Sequence, residues 1–143
     1  MFHGVPKRVV VASLFGLIPI LMGLASTFNI GLNEGLREDF IRIAIIYSGF
    51  ILCFMSGCVF YVSSLEREKV FLLWFSIAPV LLALLSIIIP FMQSFVLALG
   101  FLLVLEIERK LHSLRSLPEW WLNLRFPMTS LVVILLIFLG FRI

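Results

Sequence analysis

The groups with most chemical potential in this chain are two cysteines, two histidines and two neighbouring glutamates. Cys53 and Cys58 lie in the run YSGFILCFMSGC, residues 47 to 58, among Ser48, Gly49, Ser56 and Gly57. A reactive cysteine works as a thiolate, and nothing in this run supplies the positive charge that would stabilise one. Five residues apart on a helix, the two thiols point roughly 140° away from each other, so no disulfide between them is expected. His3 and His112 have the side chain that most often ligates haem or zinc. They come with no C-x-x-C-H, no H-x-x-x-H and no second acidic ligand at helical spacing, so neither a metal nor a cofactor site is expected.

Glu106 and Glu108 stand beside Arg109 and Lys110. They read as a solvated or snorkelling salt-bridge cluster at the end of a span rather than as a proton relay, with Glu106 and Lys110 at the i, i+4 spacing that pairs on a helix. No G-x-S-x-G, H-E-x-x-H or phosphate-binding glycine loop is present. No catalytic residue can be named, and the chain is not expected to be an enzyme.

The elements that carry these groups are membrane spans. Of 143 residues, 62% are hydrophobic and only 13% are charged, against about 45–50% apolar in soluble domains. The mean hydropathy is +1.19. The charges are bunched between long neutral stretches, and no stretch shows the period-2 alternation of barrel strands. The expected fold is all-α, a polytopic bundle of five transmembrane helices over about 9–28, 41–65, 70–89, 91–107 and 127–141, forming one integral membrane domain over 1–143 with the second span at its packing centre.

Pro19 and Pro79 should break or bend the first and third spans, because proline lacks an N–H and its ring crowds the preceding turn. A cleaved signal peptide is the rival reading of the first span, given Lys7 and Arg8 ahead of it and the small residues GLAS at 23–26. Retention of the segment is expected instead. Pro127 suits the first turn of the fifth span, where a missing N–H has no partner to lose.

Orientation follows from the basic residues. Lys7, Arg8, Arg67, Lys69, Arg109, Lys110, Arg115 and Arg125 fall on one side, and Arg37, Arg42 and Arg142 on the other, which places the N-terminus inside and the C-terminus outside. These residues are too scattered for a nucleic-acid partner. Trp120 and Trp121 fall at headgroup depth as interfacial anchors. Arg125 reads as a further anchor of the fifth span or as a specific contact to a carboxylate or lipid phosphate. Gln93 with Ser94, and Thr129 with Ser130, are read as hydrogen bonding across helix contacts or as lining a polar cavity.

Gly49, Cys53 and Gly57 repeat at i, i+4 and i+8, with Ser48 and Ser56 beside them. Helices associate in lipid through close packing and hydrogen bonds, and small-xxx-small stripes permit both. The stripe is therefore expected to receive another helix. Three stretches, FGLIPI at 15–20, YSGFILCFMSGC, and LPEWWLNLRFPMTS at 117–130, together with the proline in the third span, resemble an uncharacterised family of small inner-membrane proteins of bacteria and mitochondria, the one that includes the transmembrane-protein-sixty-nine-like proteins. The chain departs from that family at Ser56, Val59 and Phe60, where relatives carry glycine, a basic or imidazole side chain, and tryptophan. The resemblance implies a five-helix inner-membrane protein with no established activity.

With no intramembrane charge at the centre of any span, two roles are expected. The first is a non-catalytic accessory, structural or assembly subunit whose partners are lipids and other membrane protein subunits of an energy-transducing hetero-complex. The second is a small oligomeric transporter or channel for a small solute, using the backbone freed at the two proline breaks.

Overall fold

The computed structural model of the chain describes residues 2, 4–28, 31, 33–65 and 70–143. Its regular structure is wholly helical among the described residues. Among these residues seven helices run in chain order: α1 (Lys7–Phe15), α2 (Ile18–Ser26), α3 (Glu34–Leu65), α4 (Val70–Phe75), α5 (Ala78–Ile88), α6 (Gln93–Ser113) and α7 (Trp121–Arg142), with a 3-10 turn at Pro90–Met92 before α6. Taken as continuous rods they make five units long and apolar enough to cross a membrane, at Lys7–Ser26, Glu34–Leu65, Val70–Ile88, Pro90–Ser113 and Trp121–Arg142. Large apolar side chains such as Phe50, Phe54, Trp74, Ile87 and Phe141 cover the outside, as expected of a surface whose solvent is hydrocarbon.

The two split rods follow from their prolines. Pro79 has no N–H to offer the carbonyl one turn back, and the helix yields at Ser76–Ile77, with the Val80 N–H donating to Ile77 O at 3.1 Å instead of to Ser76 O. The Ser76 carbonyl released by this shift accepts a hydrogen bond from the buried Ser56 hydroxyl of α3, tying the kink to the neighbouring rod. The α1/α2 break at Gly16–Leu17 has the same relation to Pro19. Pro127 behaves differently: α7 begins six residues earlier than expected, so this proline sits inside the helix. The extra turns are held on α6 by the buried Leu124 and by Arg125, described below.

Of the five rods the fourth is the most enclosed, and α6 packs against α3, α5 and α7. The second span, expected at the packing centre, shares that place, since α3 touches α2, α4, α5 and α6. Leu97, Phe101, Val104, Glu108 and Leu111 form the buried stripe of α6 at alternating spacings of four and three. Gly100 lies beside it and lets Leu52 of α3 seat where a Cβ would otherwise be.

Candidate functional site

The α6–α7 hairpin closes through a tightly specified turn. After α6, Arg115 adopts φ 57°. The Arg115 N–H donates to His112 O at 2.9 Å and the Ser116 N–H to Leu111 O at 3.2 Å, the paired bonds of a Schellman C-cap. Glycine is the usual residue at that left-handed position; here it is arginine, with a Cβ penalty to bear. The turn reverses the chain so that the first turns of α7 lie along the last turns of α6.

Arg125 of α7 thereby meets Glu108 of α6. Its Nε lies 3.0 Å from both carboxylate oxygens. The Glu108 side chain is wholly buried and that of Arg125 is 13% exposed. Trp121, one turn before Arg125, has its indole N–H buried without a hydrogen-bond partner. Glu106, two residues before Glu108, is solvent-facing and pairs with Arg109 at 3.0 Å, one residue nearer than the Lys110 expected from spacing. The two glutamates read as one cluster in sequence therefore have opposite fates. Glu106 belongs to an exposed pair and Glu108 to a buried interhelical one.

A cleft of about 480 Å³ opens beside the pair, between α1–α2, α3 and α7. Arg8 and Arg125 line it together with Tyr47, Thr129 and an otherwise apolar wall that includes Phe54 and Val132. The Arg125 Nη2 and the Thr129 hydroxyl are both buried and have no hydrogen-bond partner. Thr129 thus follows the cavity-lining alternative of the sequence reading. A second, larger groove of about 950 Å³ lies between α3 and α5, bordered by Arg42, Gly49, Cys53, Ala83, Gln93 and Ile143.

The expected packing residues divide around α3. Ser48 and Ser56 are buried, with Ser48 donating to Ala44 O at 2.7 Å and Ser56 to Ser76 O. Gly49 and Cys53 are half-buried on the edge of the larger groove. A Cβ on Gly49 would come no nearer than 4.0 Å to Leu97, and one on Gly57 would meet nothing within 4 Å. The chain's own close approaches use other glycines: Gly23 against Ala44, Gly100 against Leu52, and Gly140 against Phe95 and Ser94. Gly23 and Ser26, part of the GLAS signature of a cleavage site, are buried where α2 meets α3.

Trp120 and Trp121 are half-buried with ring centroids 5.7 Å apart, packed against the core cluster. At the other end of the bundle Arg142 donates to Thr27 O at 3.1 Å and stands 4.8 Å over the Phe28 ring. Cys53 and Cys58 are free thiols. His3 lies outside the described residues, as do Arg67 and Lys69. Among the described residues no three His, Cys, Asp or Glu side chains gather as a metal site requires.

Sequence could have singled out Glu108 and Arg125 by one signal. Glu108 falls on the 97–101–104–108–111 stripe whose other members are apolar, whereas Glu106 falls off it. A charge on a buried stripe needs a partner, and Arg125 is the cation that the following helix brings back.

No curated protein and no solved structure matches the chain. Comparison with protein families matches residues 5–140 to a family described as protein of unknown function (DUF3429). With nearly the whole five-helix bundle covered by that match, the chain belongs to this uncharacterised family.

Proposed function

We propose that the protein is a non-catalytic accessory, structural or assembly subunit that docks laterally onto a larger energy-transducing complex of a bacterial or mitochondrial inner membrane. The N-terminus lies on the inner side, as the distribution of basic residues indicates, and the sequence motifs resemble those of the transmembrane-protein-sixty-nine-like proteins. The observation that carries this reading is the uncovered strip of α3: Gly57 faces open space, and Gly49 and Cys53 border a groove that the chain's own helices leave unfilled. Small residues at helical spacing are what a second helix needs to approach closely in lipid. The small-solute transporter is the weaker reading, because the Ser76 carbonyl released at the α4–α5 break is already bonded to Ser56 rather than offered to a solute.

Mild-detergent extraction followed by native electrophoresis tests the proposal. Wild-type protein is expected to co-migrate with a respiratory or other energy-transducing assembly, and Gly57→Leu to run free of it with its helical content unchanged. A discrete homo-oligomer that conducts solute in liposomes would replace this function with the transporter.

A further inference from the structure

The cleft beside the Glu108–Arg125 pair is a candidate ligand site, independent of lateral docking. Its volume of about 480 Å³ lies within the range of small-molecule pockets, roughly 300–1,000 Å³. Its polar groups are few: the guanidinium groups of Arg8 and Arg125 and the hydroxyls of Ser13, Tyr47 and Thr129. Arg125 spends Nε on Glu108, which balances its single positive charge, yet Nη2 is buried without an acceptor. One turn further along α7, Thr129 is 98% buried and its hydroxyl is also unpartnered. Buried donors without acceptors are uncommon, because each forfeits the hydrogen bonds that water would have given it. Arg8, exposed on the first turn of α1, adds a positive charge to the same wall, and among the described residues no acidic side chain lines the cleft.

The remainder of the wall defines the other half of the ligand. From Arg8 the α1–α2 rod runs down the cleft through Val9, Leu17 and Ile20, a distance of roughly 18 Å at 1.5 Å per residue. Antiparallel to it, α3 contributes Met55, Phe54, Ile51 and Tyr47. One end is thus rich in donors and positive charge, and the length beyond it is apolar except for the Ser13 and Tyr47 hydroxyls. A water-soluble anion would leave that length empty, and a plain hydrocarbon would leave Nη2 and the Thr129 hydroxyl unsatisfied.

We propose that this cleft binds an amphiphile with an anionic head, carboxylate or phosphate, on a single apolar chain, the head accepting from Arg125 Nη2 and the Thr129 hydroxyl near Arg8 and the chain lying between α1–α2 and α3. The carboxylate of a free fatty acid and the phosphate of a lysolipid share this chemistry.

Photolabelling of the purified full-length protein in nanodiscs of neutral lipid tests it, using three probes with the same diazirine-bearing chain: a fatty acid, a lysophosphatidic acid and a fatty alcohol. At pH 8, adducts mapped to residues 9–20 and 47–55 should be about tenfold more abundant with a charged probe than with the alcohol, the size expected of a charge-assisted hydrogen bond. Preference for the fatty acid or for the lysolipid identifies the source, and either supports the site. Thr129→Val and Arg8→Gln should each lower the charged-probe labelling several-fold, and Ala12→Phe, on an exposed position lining the cleft, should abolish it. Arg125 is left unaltered because it also holds Glu108. Equal labelling by acid and alcohol, or charged-probe labelling unaffected by Ala12→Phe, overturns the proposal.

Discussion

Arg125 grips Glu108 through a single nitrogen, Nε, placed 3.0 Å from each carboxylate oxygen, and this contact ties α7 to α6 across 17 residues of sequence. A buried pair of this kind is costly to break and cheap to replace. Removing one partner leaves an uncompensated charge, whereas removing both leaves ordinary packing. Arg125→Ala or Glu108→Ala alone should destabilise the bundle by about 3–5 kcal/mol, while Glu108→Leu with Arg125→Met should lie much nearer wild type. Reversible unfolding in mixed detergent micelles reads the cycle. Strictly additive effects of the two single changes would show that the pair contributes no coupling.

The α6 C-cap makes a prediction of opposite sign. Arg115 holds φ 57°, a region where a side chain costs roughly 1–2 kcal/mol and glycine costs almost nothing. Arg115→Gly should therefore stabilise the hairpin by about 1 kcal/mol, less the backbone entropy that glycine adds to the unfolded chain. The same unfolding assay checks it, and Arg115→Ala, which keeps the Cβ, should show no such gain.

Three glycines rank by what surrounds them. At Gly23 a Cβ would overlap that of Ala44 and lie 3.0 Å from the Phe40 carbonyl, so Gly23→Ala must push α2 off α3. It should cost about 1–3 kcal/mol, the usual range for overpacking. At Gly100 the obstruction is the tip of Leu52, a side chain that can turn aside, and the cost should be smaller. At Gly57 nothing is in the way, and Gly57→Ala should be neutral or mildly stabilising for the isolated chain. Thermal unfolding of the three purified variants tests the order.

Much of the architecture is legible in the sequence because a bilayer permits so few solutions. Runs of about twenty apolar residues have to be helices, and the five observed rods overlap the five expected, the second beginning earlier, at Glu34, and the fourth running on to Ser113. The breaks near Pro19 and Pro79 follow from backbone chemistry local to each proline. The shift of the α7 start from Pro127 to Trp121 was less accessible, since it depends on Leu124 and Arg125 finding their places on another helix. The buried ion pair was legible only through periodicity: grouped by proximity, Glu106 and Glu108 look alike, whereas Glu108 alone falls on the apolar stripe of α6 that meets its partner on α7. The Arg115 cap carries no glycine to announce it.

Lateral docking through the open face of α3 is tested most directly by placing a photo-cross-linking amino acid at position 57 in the native membrane, with position 141 on the apolar exterior as the control. Docking predicts protein adducts of defined mass from position 57 that disappear when position 53 is changed to tryptophan to block the strip, and none from position 141. Lipid adducts alone from both positions would contradict it.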